Sequence, residues 1–493
     1  MVLFFVIITQ CICGSGRSEN CNAPDGAAPY IIDCGYSGDA GVYIAERQPG
    51  ASGAYSAMRL TAGSFSEFAW NYRIESGVPC GIYVVSMWIK TSDLRLEYAC
   101  SGKIQDGGYG MTLSGSNNMD AVPARAVSIV VTDLSDYNRE MVYSGSIETD
   151  ARGAAGRAGG WIRLKRVVKL DKNGCLDFCM QAGGRGAKIA GTVCVDGVEV
   201  TGIDDDSEYT MYKSPDGAVR LVFYSSDVSA GATGGAISDI LIKNQIDELA
   251  KTCAAIRKSI KIMIGGLEPY NGVTDIILTE RHDYFGLAGN PIYINAEFAP
   301  ESLQAYVTAA SVAKASPNYI NAKIYGSGSC ADVAGPGSHA DLLWALAHEI
   351  SHTFDGVASE SIDIRRTFDA ELFADLKAFY ALRENIRAPG AERAAEYAYA
   401  RFKSFAPLSS GIYTKEGFFS KLLDIISSGD IVDCPGVLRN TFVRFNAILS
   451  EGGEMSNIEI LTLLLDLLSE ESALDFTYEF SEKEWTTVIN NYG

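Results

Sequence analysis

His348, Glu349 and His352 form the pattern H-E-x-x-H. On a helix, residues four apart lie on one face, one turn above the other. His348 and His352 can therefore offer imidazole nitrogens to a single zinc ion, with Glu349 beside them as base to a water. A catalytic zinc needs a third protein ligand and one open position. Glu371, after eighteen intervening residues, is the expected third ligand, and Asp369 is its nearby competitor. Asp375, one turn beyond Glu371, suits the outer ring N–H of either histidine. The plainer alternative is that the histidines are ordinary helical residues and the carboxylates solvated charges. Against it, the chain has four histidines and two fall in this motif. Leu372, Phe373, Leu376, Phe379 and Tyr380 make the carboxylate segment apolar, where an acidic group needs a partner.

Two helices must position these groups. The first spans 338–355: Ser338 and Asp341 form an S-x-x-D capping box, with Pro336 and Gly337 before it. Leu343, Trp344, Leu346, Ala347 and Ile350 give its apolar stripe, and Gly356 stops it. The third-ligand helix spans 367–385. A helical lobe over 388–493 follows, with apolar spacing in Arg393–Phe405, Lys415–Ser427, Val437–Leu449, Ser456–Leu468 and Ser481–Asn490. Ser456 with Glu459, and Ser481 with Glu484, make further capping boxes. The whole domain is expected over 261–493. It opens on strand-like Lys261–Ile264, Asp275–Thr279 and Pro291–Asn295, behind a linker helix at 246–260.

The motif, the spacer and the Asp four residues after Glu371 resemble the gluzincin class of zinc metallopeptidases. Within it, the secreted enhancin-like, mucin-targeting peptidases look most similar. The resemblance covers about forty residues. It implies an α+β zincin domain holding one zinc through His348, His352 and Glu371, with Glu349 as general base. It implies an edge strand, somewhere between 291 and 326, that pairs with extended substrate. It also implies an oxyanion donor of Tyr or His type, for which His282, His339 and Tyr413 are candidates. The expected activity is endopeptidase hydrolysis of extracellular protein or glycoprotein. A zinc aminopeptidase is the alternative, although the Gly-rich acidic motif of that type is missing before the zinc helix. A sugar-binding adhesin with a vestigial peptidase fold is the non-catalytic alternative.

Upstream, residues 28–245 read as all-β. Short alternating strands such as Ser56–Leu60, Phe68–Tyr72, Tyr83–Ile89, Ser128–Val131, Trp161–Leu164, Val219–Tyr224 and Ile237–Ile242 are separated by Gly, Ser and Asp turns. Their order resembles jelly-roll carbohydrate-binding modules, which implies a β-sandwich that binds glycan. Cys194–Val200 and Ile237–Ile240 are both candidates for the closing strand, in one domain or two. Trp70, Trp88 and Trp161 lie in apolar strands and read as core before platform. Asp204, Asp205 and Asp206 have oxygen ligands for calcium, with a solvated turn as the plainer reading.

Residues 1–16 are an apolar run too short to span a bilayer and read as a signal peptide without a basic start. A net charge of −20 argues against nucleic acid or an anionic membrane as partner. Beyond the signal segment ten cysteines remain, an even number that in an exported chain suggests disulfides.

Overall fold

The computed structural model describes residues 32–38, 42–49, 55–98, 124–131, 146–149, 161–170, 173–182, 187–225, 239–266, 268–280, 286–295, 339–355, 370–405, 421–422, 425–426, 433–451, 455–476 and 478–492. The side chains of 339–341 and 370–372, Glu371 among them, lie outside that description. So do the expected signal segment 1–16, His282, Asp369 and Tyr413. The chain divides into two compact units, Met1–Asp206 and Ser207–Gly493.

The first unit is antiparallel throughout its described strands. One sheet has the order β1 (Ile32–Gly38), β4 (Phe68–Val78), β9 (Gly174–Ala182), β6 (Ala124–Val131), β7 (Ser146–Thr149). The other has the order β2 (Val42–Pro49), β3 (Tyr55–Ser66), β10 (Ala187–Gly202), β5 (Gly81–Tyr98), β8 (Ile162–Leu170). Side chains alternate faces along a strand, and the alternation builds one core between the sheets. Phe68, Trp70, Tyr72 and Ile74 of β4 share it with Leu176, Phe178 and Met180 of β9, and with Tyr83, Val85, Met87 and Ile89 of β5. This is the two-sheet sandwich expected from the strand pattern.

The second unit begins earlier than the sequence pattern suggests. β11 (Tyr209–Lys213) and β12 (Val219–Tyr224) belong to a mixed sheet ordered β11, β12, β13 (Thr274–Ile277), β15 (Ile292–Ile294), β14 (Gly286–Leu287). β12 runs parallel to β13, pairing Arg220 with Asp275 and Leu221 with Ile276. Arg220 Nη2 donates to Asp275 Oδ2 at 2.8 Å across that pair. The boundary therefore falls at 206/207 and not at 245, because the ladder bonds of 219–222 go to residues some fifty positions downstream.

Two local expectations change with it. Of the expected strand Ile237–Ile242, the described residues from Asp239 on are helical, in α1 (Asp239–Met263). Lys261–Met263 is the end of that helix, not a strand. The 246–260 segment is not a linker either. Ile246, Leu249, Ala250, Cys253, Ile256, Ile260 and Met263 form a stripe at three- and four-residue spacing, all within the core.

Around α1 pack α2 (His339–His352), α3 (Ala370–Glu384) and α5 (Cys434–Glu451), while α4 (Ala391–Phe405) packs on α2 and α3; α6 (Asn457–Ser472) and α7 (Glu482–Tyr492) follow. Ser456 and Glu459 make the reciprocal capping box at the start of α6. Ser481 and Glu484 exchange the same pair of bonds at α7. No helix among the described residues is long and apolar enough to cross a membrane.

The disulfide expectation is not met among the described cysteines, none of which is cross-linked to another. Cys175 and Cys179 sit four apart on β9, about 13 Å along the strand, beyond disulfide reach. Cys253 and Cys434 are apolar core residues, and burial pushes their thiols up to about 12 and about 11.

The boundary is directly checkable. A fragment ending at Asp206 should be soluble and cooperatively folded. One ending at 245 carries β11, β12 and the start of α1 without the strand and core they pair with, and should aggregate. Size-exclusion and thermal melts of the two fragments decide it, and equal behaviour would contradict the division.

Candidate active site

α2 is apolar nearly all round: Leu342, Leu343, Trp344, Ala345, Leu346, Ala347 and Ile350 are buried. Such a helix lies inside its domain, which takes His348 and Glu349 into the interior with it. His348 Nε2 and His352 Nε2 stand 3.1 Å apart. The opposite nitrogen of each ring meets a carboxylate. His348 Nδ1 is 2.8 Å from Asp375 Oδ1, on α3. His352 Nδ1 is 2.8 Å from Asp355 Oδ2. An ionised carboxylate only accepts, so each Nδ1 is the protonated, donating nitrogen. Each Nε2 then carries a lone pair, and two lone pairs 3.1 Å apart repel unless a cation or proton lies between them.

The Asp355 contact grows from the way α2 ends. Thr353 N, Phe354 N and Asp355 N donate to Ile350 O, Ser351 O and His352 O at 3.0–3.1 Å. These three-residue bonds tighten the last turn and bring Asp355 back under the His352 ring. Lys377, from α3, ion-pairs with Asp355 and donates to Ser351 O at 2.7 Å. Burial alone would raise the Asp355 carboxyl, but the facing Lys377 and His352 hold it below the usual carboxylate value.

Glu349 is buried beside the pair. It lies against β14: a Cβ placed on Gly286 would come 2.8 Å from Glu349 Cγ and Cδ, and closer still to the carboxylate oxygen. A bare α-carbon at 286 is what admits this side chain. Asn290 fixes the turn that carries β14 back to β15. Its Oδ1 accepts from Asp275 N at 3.1 Å and its Nδ2 donates to Val273 O at 3.2 Å. Among the described strands β14 is the sheet edge on this side, and β15 is flanked on both sides. Of the range 291–326 in which the substrate-pairing strand is expected, β15 is flanked on both sides and 296–326 lies outside the described residues.

The expected site residues fall as follows. His348, Glu349, His352 and Asp375 come together. Glu371 lies on α3 one turn before Asp375, with its side chain outside the described residues. His339 begins α2, nine residues before His348, and its side chain lies outside the described residues. His282 and Tyr413 lie outside the description. Asp355 and Lys377 were not expected in these roles. The signal for Asp355 is its three-residue offset from His352, and for Lys377 a cation in the middle of the apolar run from Leu372 to Leu382. Among the described residues no group of three His, Cys, Asp or Glu side chains converges as a metal site. In the Asp204–Asp206 turn, Lys165 pairs with Asp206 at 2.9 Å.

The outward face of the β5 sheet is a second place of interest. Ser86, Trp88 and Lys90 alternate with the core residues of β5 and so point away from the sandwich core. The residues 203–205 pack over the Ile82–Val84 end of that strand, where Ile203 is buried. Trp88 remains half-buried, with the Arg163 guanidinium 6.0 Å from its ring centre. Arg163 also donates to Glu199 at 2.5 Å and Ser86 Oγ at 3.1 Å. Trp70, by contrast, is core.

No family model matches the chain, and no curated protein matches it either. Solved structures do. The enzymatically active domain of bacteriophage CBA120 tailspike protein 4 is 11% identical over 35% of this chain and 19% of its own, with a TM-score of 0.20. TmCBM61 in complex with β-1,4-galactotriose is 14% identical over 34% of this chain and 88% of its own, at 0.19. A functionally unknown conserved protein from Bacillus anthracis is 9% identical over 84% of this chain and 72% of its own, at 0.35. This chain thus spans about a fifth of the tailspike domain. At these scores the likenesses carry no statement about activity.

The contact at Gly286 gives a test. Gly286→Ala should destabilise by about 1–3 kcal/mol, the usual cost of overpacking, read as a lower urea midpoint. Adding Glu349→Ala should recover most of that loss. Additive losses in the double variant would place the clash elsewhere.

Proposed function

We propose that the chain is a zinc-dependent endopeptidase acting on extracellular protein or glycoprotein. The observation that carries this reading is the pair of facing Nε2 atoms. Two nitrogens each about 2.05 Å from a tetrahedral zinc stand about 3.3 Å apart, and 3.1 Å separates them here. Their outer nitrogens are held by carboxylates, the usual surroundings of a zinc-bound imidazole. His348 and His352 would hold the ion with Glu371 as third ligand. When bound, zinc would supply a Lewis acid that polarises the scissile carbonyl and acidifies water to about neutral pH.

Glu349 accepts the proton of the attacking water and returns it to the leaving amine. Position separates its role from that of the histidines. It lies one residue from His348, about 100° round the helix, so it does not share their direction. Its carboxylate faces β14, the edge of the sheet among the described strands, which suits an extended peptide as an added strand. Such pairing reads backbone and holds the scissile bond beside Glu349. The burial of His348, Glu349 and Asp375 gives a low-dielectric setting in which the few charges present act strongly.

For the β-sandwich we propose glycan binding at the outward face around Trp88. A half-buried indole next to Arg163, Glu199 and Ser86 offers an apolar platform ringed by hydrogen-bonding groups, the makeup of a sugar site. On this reading the sandwich brings the peptidase to glycosylated substrate.

Three variants test the peptidase reading. Glu349→Gln should keep zinc near wild type and lower turnover about a hundredfold to ten-thousandfold. Glu371→Gln should lose zinc on elemental analysis. Full zinc in that variant, with loss in Asp369→Asn, would move the third ligand to Asp369. Cleavage of peptides with blocked N-termini separates an endopeptidase from an aminopeptidase. A protein with zinc and no turnover on any protein or glycoprotein would favour the adhesin.

The sandwich has its own test. Trp88→Ala should abolish retention on whichever glycan of a broad array the wild type binds, with the melting profile unchanged. A wild type that ignores every glycan leaves the sandwich a structural domain.

A further inference from the structure

Lys377 is fully buried, at 0% exposure, in a helix whose neighbours Phe373, Leu376 and Tyr380 are core. Its Nζ donates to Ser351 O at 2.7 Å, pairs with Asp355, and lies 4.3 Å from the Phe373 ring centre. Stability alone does not account for it. Desolvating a lysine and a carboxylate costs about as much as their attraction returns, and apolar residues in place of both often pack as well or better. What the pair does is fix Asp355.

The two histidines differ in how their acceptors are carried. His348 is held by Asp375, a residue of α3 with the helix to keep it in place. His352 is held by Asp355, which lies beyond the last residue of α2 in a three-residue turn. A carboxylate on a turn has rotamers and backbone freedom that one on a helix lacks. Lys377 supplies the missing constraint. It clamps Asp355 and the Ser351 carbonyl at the C-terminal end of α2, where a cation also suits the helix dipole. α3 thereby anchors both imidazoles, one directly and one through a lysine.

We infer that Lys377 is a positioning residue for the metal site, acting on His352 through Asp355. This rests on the zinc reading above and adds a residue to it. The chain of contacts is Lys377 Nζ to Asp355, and Asp355 Oδ2 to His352 Nδ1, which leaves His352 Nε2 aimed at His348 Nε2.

The test is a zinc-affinity cycle on the full chain, by competition with a chromophoric chelator. It compares wild type, Lys377→Met, Asp355→Asn and the double variant, with melting of the metal-free proteins alongside. Loss of an outer partner of a metal ligand typically costs about 10–100-fold in affinity. Lys377→Met should lose that much. Its metal-free melting temperature should fall, because Asp355 is left buried without its cation, and the double variant should recover part of that fall. Affinity is therefore compared at a temperature where every metal-free protein is folded. The double variant should bind zinc no worse than Asp355→Asn alone, since Lys377 works only through Asp355. Wild-type affinity in Lys377→Met, or losses that multiply in the double variant, would overturn the inference. If Lys377→Met does not fold, Lys377→Gln keeps a donor without the charge. It should lose affinity, and wild-type affinity in it would equally overturn the inference. A wild type that takes no zinc sinks the zinc reading and this inference together. A wild type that binds zinc, with Lys377→Met its equal, sinks only the inference.

Discussion

Two imidazole nitrogens that face each other at 3.1 Å, each ring pinned from behind by a carboxylate, set the terms for the second unit. The carboxylates fix the tautomer, and the tautomer turns both lone pairs inward. α2 must be buried to hold the rings still, so its other residues are Leu, Trp, Ala and Ile. Burial then requires each charge nearby to have a partner, because an isolated buried charge is untenable. Asp375 answers to His348, and Asp355 to His352 and Lys377. α3 is bound to this arrangement as tightly as α2, since it carries both Asp375 and Lys377.

The sheet meets the same constraint from the other side. Glu349 needs room beside the histidines, and it takes that room at the bare α-carbon of Gly286. β14 is short and lies at the described edge of the sheet, with its turn pinned by Asn290 to β13. A longer side chain at 286 would displace either the strand or Glu349. The Arg220–Asp275 pair and the parallel β12–β13 ladder in turn hold β13. Placement of Glu349 thus reaches back through the sheet to residues near the start of the unit.

The meeting of His348, His352 and Asp375 was legible in the sequence because it depends on local spacing. H-E-x-x-H and Asp375 follow from the helix period, as do both capping boxes. Asp355 was within reach of the same reasoning, since a three-residue offset at a helix end returns to the ring before it. The boundary at 206/207 was not legible. Val219–Tyr224 has the same alternation as the sandwich strands, and only its partner at 274–277 assigns it to the other unit. Ile237–Ile242 and Lys261–Ile264 are short apolar runs, which periodicity does not divide between strand and buried helix. Trp70 and Trp88 sit in similar strands, yet one is core and the other faces outward. Register decides that, and register is a property of the pair.

The most direct measurement is nitrogen NMR of the histidine rings in the full chain, labelled at its four histidines, before and after one equivalent of zinc. Without zinc, two rings should show a protonated Nδ1. With zinc, the Nε2 signals of those two rings should move together and saturate at one equivalent, and both Nδ1 protons should stay. Ring signals assigned to His348 and His352 that do not respond to zinc, or that show protonated Nε2 and bare Nδ1, would contradict the account.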